Sequence, residues 1–127
     1  MKYILLFIFI LNGEAKHLHQ ERYYQNIFCN QVNGIMEYKL KDNTRVDCLT
    51  NDYAIEVDFD TKWSESIGQS LYYGLSTNKK AGVLLITEDT QKGIKYLTRL
   101  YRVAKEHNIT IWVINANADI FKFRPKK

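Results

Sequence analysis

The stretch Arg45–Phe59, with the sequence RVDCLTNDYAIEVDF, predicts a β-hairpin and through it the fold class. Asn51 and Asp52 stand at its centre, and both residue types tolerate the positive φ that a two-residue hairpin turn requires. After this turn, apolar and polar side chains alternate, as they do in a strand with two different faces. The pattern predicts strands at residues 45–49 and 53–59.

A two-residue turn also fixes the register of the two strands, and it brings acidic side chains together. The predicted pairs are Thr50–Tyr53, Leu49–Ala54, Cys48–Ile55 and Asp47–Glu56. Asp58 follows two residues after Glu56 on the same face. Like charges directly opposite each other destabilise a sheet unless something neutralises them. A divalent cation does so, since Mg²⁺ binds one or two carboxylates together with waters and phosphate oxygens. The alternative is a solvated polar face of a half-buried hairpin.

The remaining elements follow on either side of this hairpin. They are predicted as a helix at 17–31, a strand at 35–40, a helix at 63–76, a strand at 81–87, a helix from Asp89 or Thr90 to His107, and a strand at 109–114. The strands at 81–87 and 109–114 are almost entirely apolar, which is typical of strands buried on both faces. The order α-β-β-β-α-β-α-β predicts one α/β domain with a mixed sheet flanked by helices. Residues 122–127 are interpreted as a basic tail.

The helix at 17–31 is expected to bury Leu18, Tyr24, Ile27 and Phe28. On the wheel of the second helix, Trp63, Ile67, Leu71 and Leu75 form the apolar stripe. Lys62 and Gln69 project from another side of that helix. The loop before it is short, so its start must lie near the end of the preceding strand. A cation and an amide can therefore reach the carboxylates, although ordinary surface positions are the alternative.

The N-terminus predicts a secretory signal peptide at residues 1–15. Lys2 supplies the positive charge, residues 3–11 are apolar, and Gly13 and Ala15 are the small residues of a cleavage site. The apolar run is about half of the roughly 20 residues that a membrane-spanning helix needs. A buried helix and an uncleaved anchor are the alternatives. We expect residues 16–127 to form a single exported domain, periplasmic or secreted, that is free of the membrane after cleavage.

The chain has two cysteines, Cys29 and Cys48. An even number of cysteines in an exported protein indicates a disulfide, and two buried free thiols are the alternative. Such a bridge would close a loop of about twenty residues and contribute about 3 kcal/mol by the chain-entropy model. We therefore expect the first helix to be linked to the hairpin.

The formal net charge of +4 is compatible with a polyanionic partner such as nucleic acid, although many other proteins share this balance. The third helix carries a basic stripe that could follow a phosphate backbone, and a solvated helix face is the alternative. Its members are Lys92, Lys95, Arg99 and Arg102. No motif indicates base-specific recognition.

Four short segments together resemble the PD-(D/E)xK nuclease superfamily, over about residues 20–115. They are RVDCLT at 45–50, AIEVDF at 54–59, KW at 62–63 and IGQSLYY at 67–73. The resemblance implies a restriction-endonuclease-like fold. It also implies that Asp47 and Glu56 bind Mg²⁺ or Mn²⁺, that Gln69 lines the active site and that Glu21 is an accessory acid. Glu37 is a second candidate for that accessory role.

The sequence departs from this superfamily at one position. The lysine expected two residues after Glu56 is replaced by Asp58, and Lys62 at the helix start could supply the missing cation. The expected function is metal-dependent hydrolysis of phosphodiester bonds in nucleic acid, with DNA favoured over RNA. The expected catalytic residues are Asp47, Glu56, Asp58, Lys62 and Gln69. A non-catalytic module that binds nucleic acid or another partner, and keeps the nuclease-like fold, is the alternative.

Overall fold

The computed structural model describes residues 16–126, so the predicted signal peptide lies outside the described residues. The chain forms an α/β structure with one mixed sheet flanked by helices, which confirms the predicted class. The helices are α1 (Glu21–Gln31), α2 (Trp63–Thr77, after a 3-10 turn at Asp60–Lys62) and α3 (Thr90–His107). The strands are β1 (Ile35–Lys39), β2 (Arg45–Leu49), β3 (Tyr53–Phe59), β4 (Lys80–Thr87), β5 (Thr110–Asn115) and β6 (Ile120–Phe123).

The six strands lie side by side in their chain order. β3, β4 and β5 are parallel and are joined by α2 and α3, whereas β1, β2 and β6 each run antiparallel to their neighbours. The parallel strands need crossover helices because a short turn cannot return the chain to the same end of the sheet. An antiparallel hairpin therefore adjoins a parallel centre, as the element order predicts.

Strand β6 was not predicted, and the interpretation of residues 122–127 as a tail is wrong for its beginning. Asn115 closes a turn by accepting a hydrogen bond from Ala118 N at 3.0 Å and donating its own N–H to Asp119 O at 3.1 Å. The strand that follows is short and carries Lys122. Phe121 is 52% exposed. An exposed, partly basic edge strand gives little of the burial pattern from which strands are predicted.

Helix α1 begins at Glu21, later than the predicted residue 17. The backbone N–H groups of Leu18 and His19 donate to the Glu88 carboxylate at 2.9 and 3.2 Å, which holds this segment outside the helix. Leu18 is 68% exposed, so its predicted burial is wrong. Tyr24 is fully buried as predicted, and its hydroxyl donates to Glu88 at 2.5 Å.

The two faces of the sheet are covered by different helices. Tyr24 and Phe28 of α1 pack against one face, with Val57 and Leu84 beneath them. The opposite face packs against α2 and α3, where Leu100 is completely buried. Burying one such large apolar side chain contributes about 1.5–3 kcal/mol. The central strands are thus held between two layers of helices, one on each face of the sheet.

Helix α2 approaches the sheet closely through small side chains that lie outside its apolar stripe. Ser66 and Ser70 are fully buried against the sheet, whereas Leu75, a member of the predicted apolar stripe, is 83% exposed. The two serine hydroxyls donate to carbonyl groups of their own helix, so their burial leaves no unpaired polar group. A Cβ added to Gly74 would lie 3.2 Å from Ala81 N. Small residues therefore allow this close approach.

The predicted disulfide between Cys29 and Cys48 is confirmed, with 5.8 Å between the two Cα atoms. It joins α1 to β2 and is compatible with the predicted export. A Cβ at Gly34 would lie 2.7 Å from Cys29 Sγ and still closer to Cys48 Sγ, so only glycine fits beside the bridge. Within residues 16–126, no helix has the length and apolar character needed to cross a membrane.

Candidate functional site

The turn at Asn51 and Asp52 positions the acidic residues, and the strand pairs nearest to this turn have the predicted register. Thr50 N donates to Tyr53 O at 2.9 Å. The pairs Leu49–Ala54 and Cys48–Ile55 follow in the ladder as predicted. The ladder ends there, so the predicted backbone pair Asp47–Glu56 is not formed.

Strand β2 turns away from β3 at Asp47. Val46 and Cys48 would share a face in a regular strand. Instead, Cys48 packs on the α1 side, whereas Val46 packs with Tyr73 of α2. The Asp47 carboxylate occupies the resulting gap and accepts a hydrogen bond from Val57 N at 2.8 Å. A side chain thus replaces a main-chain partner in the middle of the sheet.

Three carboxyl groups meet at this gap, and we call Asp47, Glu56 and Asp58 the carboxylate cluster. Glu56 is 4% exposed and Asp58 is 9% exposed, on the face of β3 that Ala54 shares. Asp47 N lies 3.5 Å from Glu56 Oε1. Asp58 Oδ2 is buried and has no hydrogen-bond partner within residues 16–126. Such an unpaired buried acceptor costs free energy, so it is unusual at a position with only a structural role.

Burial dominates the electrostatics of the carboxylate cluster. It raises the pKa of the Glu56 carboxyl, and the neighbouring charge of Asp47 raises this pKa further. Burial also raises the pKa of Asp47, while the hydrogen bond from Val57 N acts in the opposite direction. The pKa of Asp58 rises to about 7, first through burial and then through the charges of Glu21 and Asp47. In the absence of a cation, these upward pKa shifts favour protonation of the cluster, which reduces the repulsion between the carboxylates.

Glu21 and Glu37, the two predicted accessory acids, lie beside the cluster. Burial raises the pKa of Glu21, and the charges of Asp47 and Glu37 raise it further. Glu37 adopts φ 54°, which is uncommon for a residue other than glycine. It follows Met36, the ladder partner of Cys48, and thus lies in β1 across from the point where β2 bends.

Gln25 is a site residue that the sequence did not reveal. It is 5% exposed, and its Nε2 donates to Asp47 O at 2.9 Å and to Glu37 Oε2 at 3.4 Å. It therefore fixes the backbone of Asp47 to α1. Its position one helical turn after Glu21 was the available signal, because residues four apart share a helix face.

Lys62 lies near the cluster, whereas no hydrogen bond in the described part of the chain joins Gln69 to it. Lys62 is exposed at the end of the 3-10 turn that follows β3, and its charge lowers the pKa values of Glu21 and Asp58. Gln69 is exposed on α2, and no hydrogen bond within residues 16–126 joins it to an acid. The charge of Glu65, one turn before Gln69, raises the pKa of Asp58.

The side chains of the cluster have the chemistry that Mg²⁺ or Mn²⁺ requires, although they are not arranged as a complete cage. Within residues 16–126, no group of three or more His, Cys, Asp or Glu side chains has the geometry to hold a metal ion. Mg²⁺ keeps several waters and needs only one or two carboxylates from the protein. The free Asp58 Oδ2 is an available oxygen. The residues therefore fit a hydrated ion held by one or two carboxylates.

The predicted basic stripe is present on α3. Lys95 and Arg99 lie over the ring of Tyr96, at 5.0 and 5.8 Å from its centroid. All four members of the stripe, Lys92, Lys95, Arg99 and Arg102, are exposed to solvent. None of them is among the largest causes of the pKa shifts of the cluster. Comparisons of the chain with protein-family models, with curated proteins and with solved structures each found no match.

Proposed function

We propose that the protein is a metal-dependent phosphodiesterase that cleaves nucleic acid, DNA in preference to RNA, at the carboxylate cluster. The observation that carries this proposal is the burial of Glu56 and Asp58 beside the half-buried Asp47 at a break in the sheet. Within residues 16–126, Asp58 Oδ2 has no hydrogen-bond partner. Buried acids with strongly shifted pKa values are characteristic of functional sites. We also propose that the fold is restriction-endonuclease-like, which the element order and the resemblance of the motifs support.

In this proposal, Asp47 and Glu56 hold Mg²⁺ or Mn²⁺. Such an ion lowers the pKa of a bound water and neutralises the scissile phosphate. Asp58 orients the hydrated site through its free oxygen, and Gln25 keeps the backbone of Asp47 in place. Lys62 supplies the positive charge that faces the phosphate as negative charge develops on it.

The exposure of Lys62 and the aspartate at the usual lysine position favour a second candidate, a non-catalytic module that binds nucleic acid or another partner. A cation acts strongly on a transition state only when it is held in a fixed position in a site that excludes water. The basic stripe on α3 would then carry the binding. Cleavage activity distinguishes the two candidates.

The test is incubation of the purified protein with plasmid DNA, single-stranded DNA and RNA in Mg²⁺, Mn²⁺ or EDTA. We expect cleavage that depends on the metal and that Asp47→Asn abolishes. Asp52→Asn, an exposed acid in the hairpin turn, is the matched control and should retain full activity. Absence of cleavage under every metal condition would establish the non-catalytic module, and full activity of Asp47→Asn would place the metal site elsewhere.

Lys62 has its own test within this proposal. Lys62→Ala should lower the cleavage rate about a hundredfold, because removing one preorganised electrostatic contact costs about 3 kcal/mol in the transition state. Its melting temperature should not change, since the side chain is exposed. Lys105→Ala on α3 is the control. An unchanged rate for Lys62→Ala would assign the cation to another residue.

A further inference from the structure

A groove with a volume of about 540 Å³ lies between the β1–β2 hairpin and the C-terminal half of α2. Its walls combine aromatic and basic side chains. We call it the tyrosine groove and define it by Tyr38, Lys39, Lys41, Tyr72, Ser76 and Lys79. No part of it belongs to the carboxylate cluster or to the basic stripe on α3.

The tyrosine groove has a net positive charge. Three lysines line it against one acid, Asp42. The Asp42 carboxylate already accepts hydrogen bonds from Thr44 N at 3.0 Å and from the Tyr72 hydroxyl. These hydrogen bonds lower the pKa of Asp42, so its single negative charge persists and the three lysines exceed it. The surface is complementary to a polyanion.

Two large aromatic side chains stand open in the same groove. Tyr38 is 42% exposed and Tyr72 is 46% exposed. The Tyr72 ring is further supported by an edge contact with Tyr73, with 5.5 Å between the ring centroids. Exposed tyrosines beside lysines are the combination that binds single-stranded nucleic acid, because the rings stack with bases while the cations contact phosphates.

The tyrosine groove is connected to the carboxylate cluster along one side of α2. Glu65, Gln69, Tyr72 and Ser76 follow at helical spacings and are all exposed, so they form one stripe. Glu65 lies near Asp58, whose pKa its charge raises, and Tyr72 and Ser76 line the groove. The distance along the helix from Glu65 to Tyr72 is about 10 Å, from a rise of 1.5 Å per residue. About three stacked nucleotides, at about 3.4 Å each, cover this distance.

We propose that the tyrosine groove binds single-stranded nucleic acid and leads it to the carboxylate cluster. The bases of a duplex are already stacked and paired, so only a single strand offers free base faces to Tyr38 and Tyr72. The claim that this strand is the substrate rests on the proposed nuclease function. The claim that the groove binds it does not.

The test measures binding in EDTA, where no metal-dependent cleavage occurs. Fluorescence anisotropy with a labelled twelve-nucleotide single strand, and with the same sequence as a duplex, should show tighter binding of the single strand. Tyr38→Ala should raise its Kd on the order of tenfold, the effect of losing one stacked base. Tyr72→Ala should raise the Kd by a similar factor, because it removes the second stacking ring of the groove. Tyr101→Ala is the matched control, since Tyr101 is 38% exposed on α3.

The lysines of the groove are tested by salt dependence. The slope of log Kd against log salt concentration should fall by about 1.4 in the double variant Lys39→Ala/Lys41→Ala, because each phosphate contact to a single strand contributes about 0.7. The double variant Lys95→Ala/Arg99→Ala on α3 should keep the wild-type slope. Thermal melting of every variant verifies that it is folded.

Two results with the labelled strands would overturn the proposal: equal affinity for single strand and duplex, and equal effects of Tyr38→Ala and Tyr101→Ala on the Kd. Loss of binding only in the α3 double variant would also overturn it, as would binding of polyglutamate in place of nucleic acid. The last result would identify an acidic protein surface as the partner. The outcome for the enzyme is separate. A protein that binds single strands through Tyr38 and never cuts them supports the groove and refutes the nuclease. A protein that cuts nucleic acid, and whose binding is unaffected by Tyr38→Ala, supports the nuclease and refutes the groove.

Discussion

Single side chains in the carboxylate cluster make stability depend on pH in an uncommon direction. Paired acids on a protein surface usually have lowered pKa values and are protonated only in acid. Here burial raises the pKa values of Asp47, Glu56 and Asp58 above those of the unfolded chain. Each group therefore contributes its full stability below its unfolded pKa, and this contribution is lost as the pH rises through the folded pKa.

We expect the metal-free protein to be more stable at pH 5 than at pH 9. Each affected group removes at most about 1.4 kcal/mol from the free energy of unfolding per pH unit between its two pKa values. Glu56→Gln mimics the protonated acid and should raise the melting temperature at pH 9 while changing it little at pH 5. Calorimetry in EDTA measures this. Glu106→Gln, an exposed acid on α3, is the control. A wild-type stability that increases from pH 5 to pH 9 would contradict the assignment.

At the scale of elements, the position of α1 determines whether the acidic residues can meet. The disulfide links α1 to β2 one residue after Asp47, and Gln25 adds a hydrogen bond to Asp47 O. At its other end, the Tyr24 hydroxyl joins α1 to Glu88, which follows β4. The helix is thus attached to the hairpin and to the parallel centre of the sheet.

Reduction of the disulfide should therefore lower the melting temperature. The expected loss of stability is about 3 kcal/mol for a loop of this length. The double variant Cys29→Ser/Cys48→Ser should melt at the temperature of the reduced wild type, and dithiothreitol should not affect it further. Thiol counting under denaturing conditions verifies complete reduction. An unchanged melting temperature of the reduced protein would show that packing alone holds α1 on β2.

What could be predicted from the sequence depended on the range of the interactions involved. The Asn51-Asp52 turn is local, and it gave the correct register for Cys48–Ile55. The bend at Asp47 could not be predicted, because it results from the packing of Val46 on α2, far away in the sequence. The exposure of Leu75, a member of the predicted apolar stripe, was missed for the same reason, since its helix approaches the sheet through small residues. Gln25 was missed because a polar side chain on a helix is usually exposed.

On the scale of the whole molecule, neighbouring strands of the sheet are paired over unequal lengths. β3 and β4 pair from Tyr53–Lys80 to Phe59–Ile86, along the whole of β3. In contrast, β2 and β3 share only the pairs nearest the turn. In the outer half of the β1–β2 hairpin, residues 38–46, the ladder within the described residues joins only β1 and β2 to each other. Its attachment to the rest depends on α2, through Val46 against Tyr73 and through Asp42 with Tyr72.

The short ladder between β2 and β3 implies that the native protein opens in stages. Segments with few attachments exchange their amide hydrogens through partial unfolding, at a lower free energy than global unfolding requires. Residues 38–46 should therefore exchange faster than β4 and β5.

Bound metal should change this exchange. Because Asp47 and Glu56 lie on opposite sides of the gap, an ion shared by them would join the β1–β2 hairpin to β3 in the centre of the sheet. Hydrogen exchange followed by mass spectrometry should then show that Mg²⁺ slows exchange in residues 38–46 and leaves β4 unchanged, whereas Asp47→Asn shows no such response. Uniform exchange across the sheet would mean that the molecule opens only as a whole.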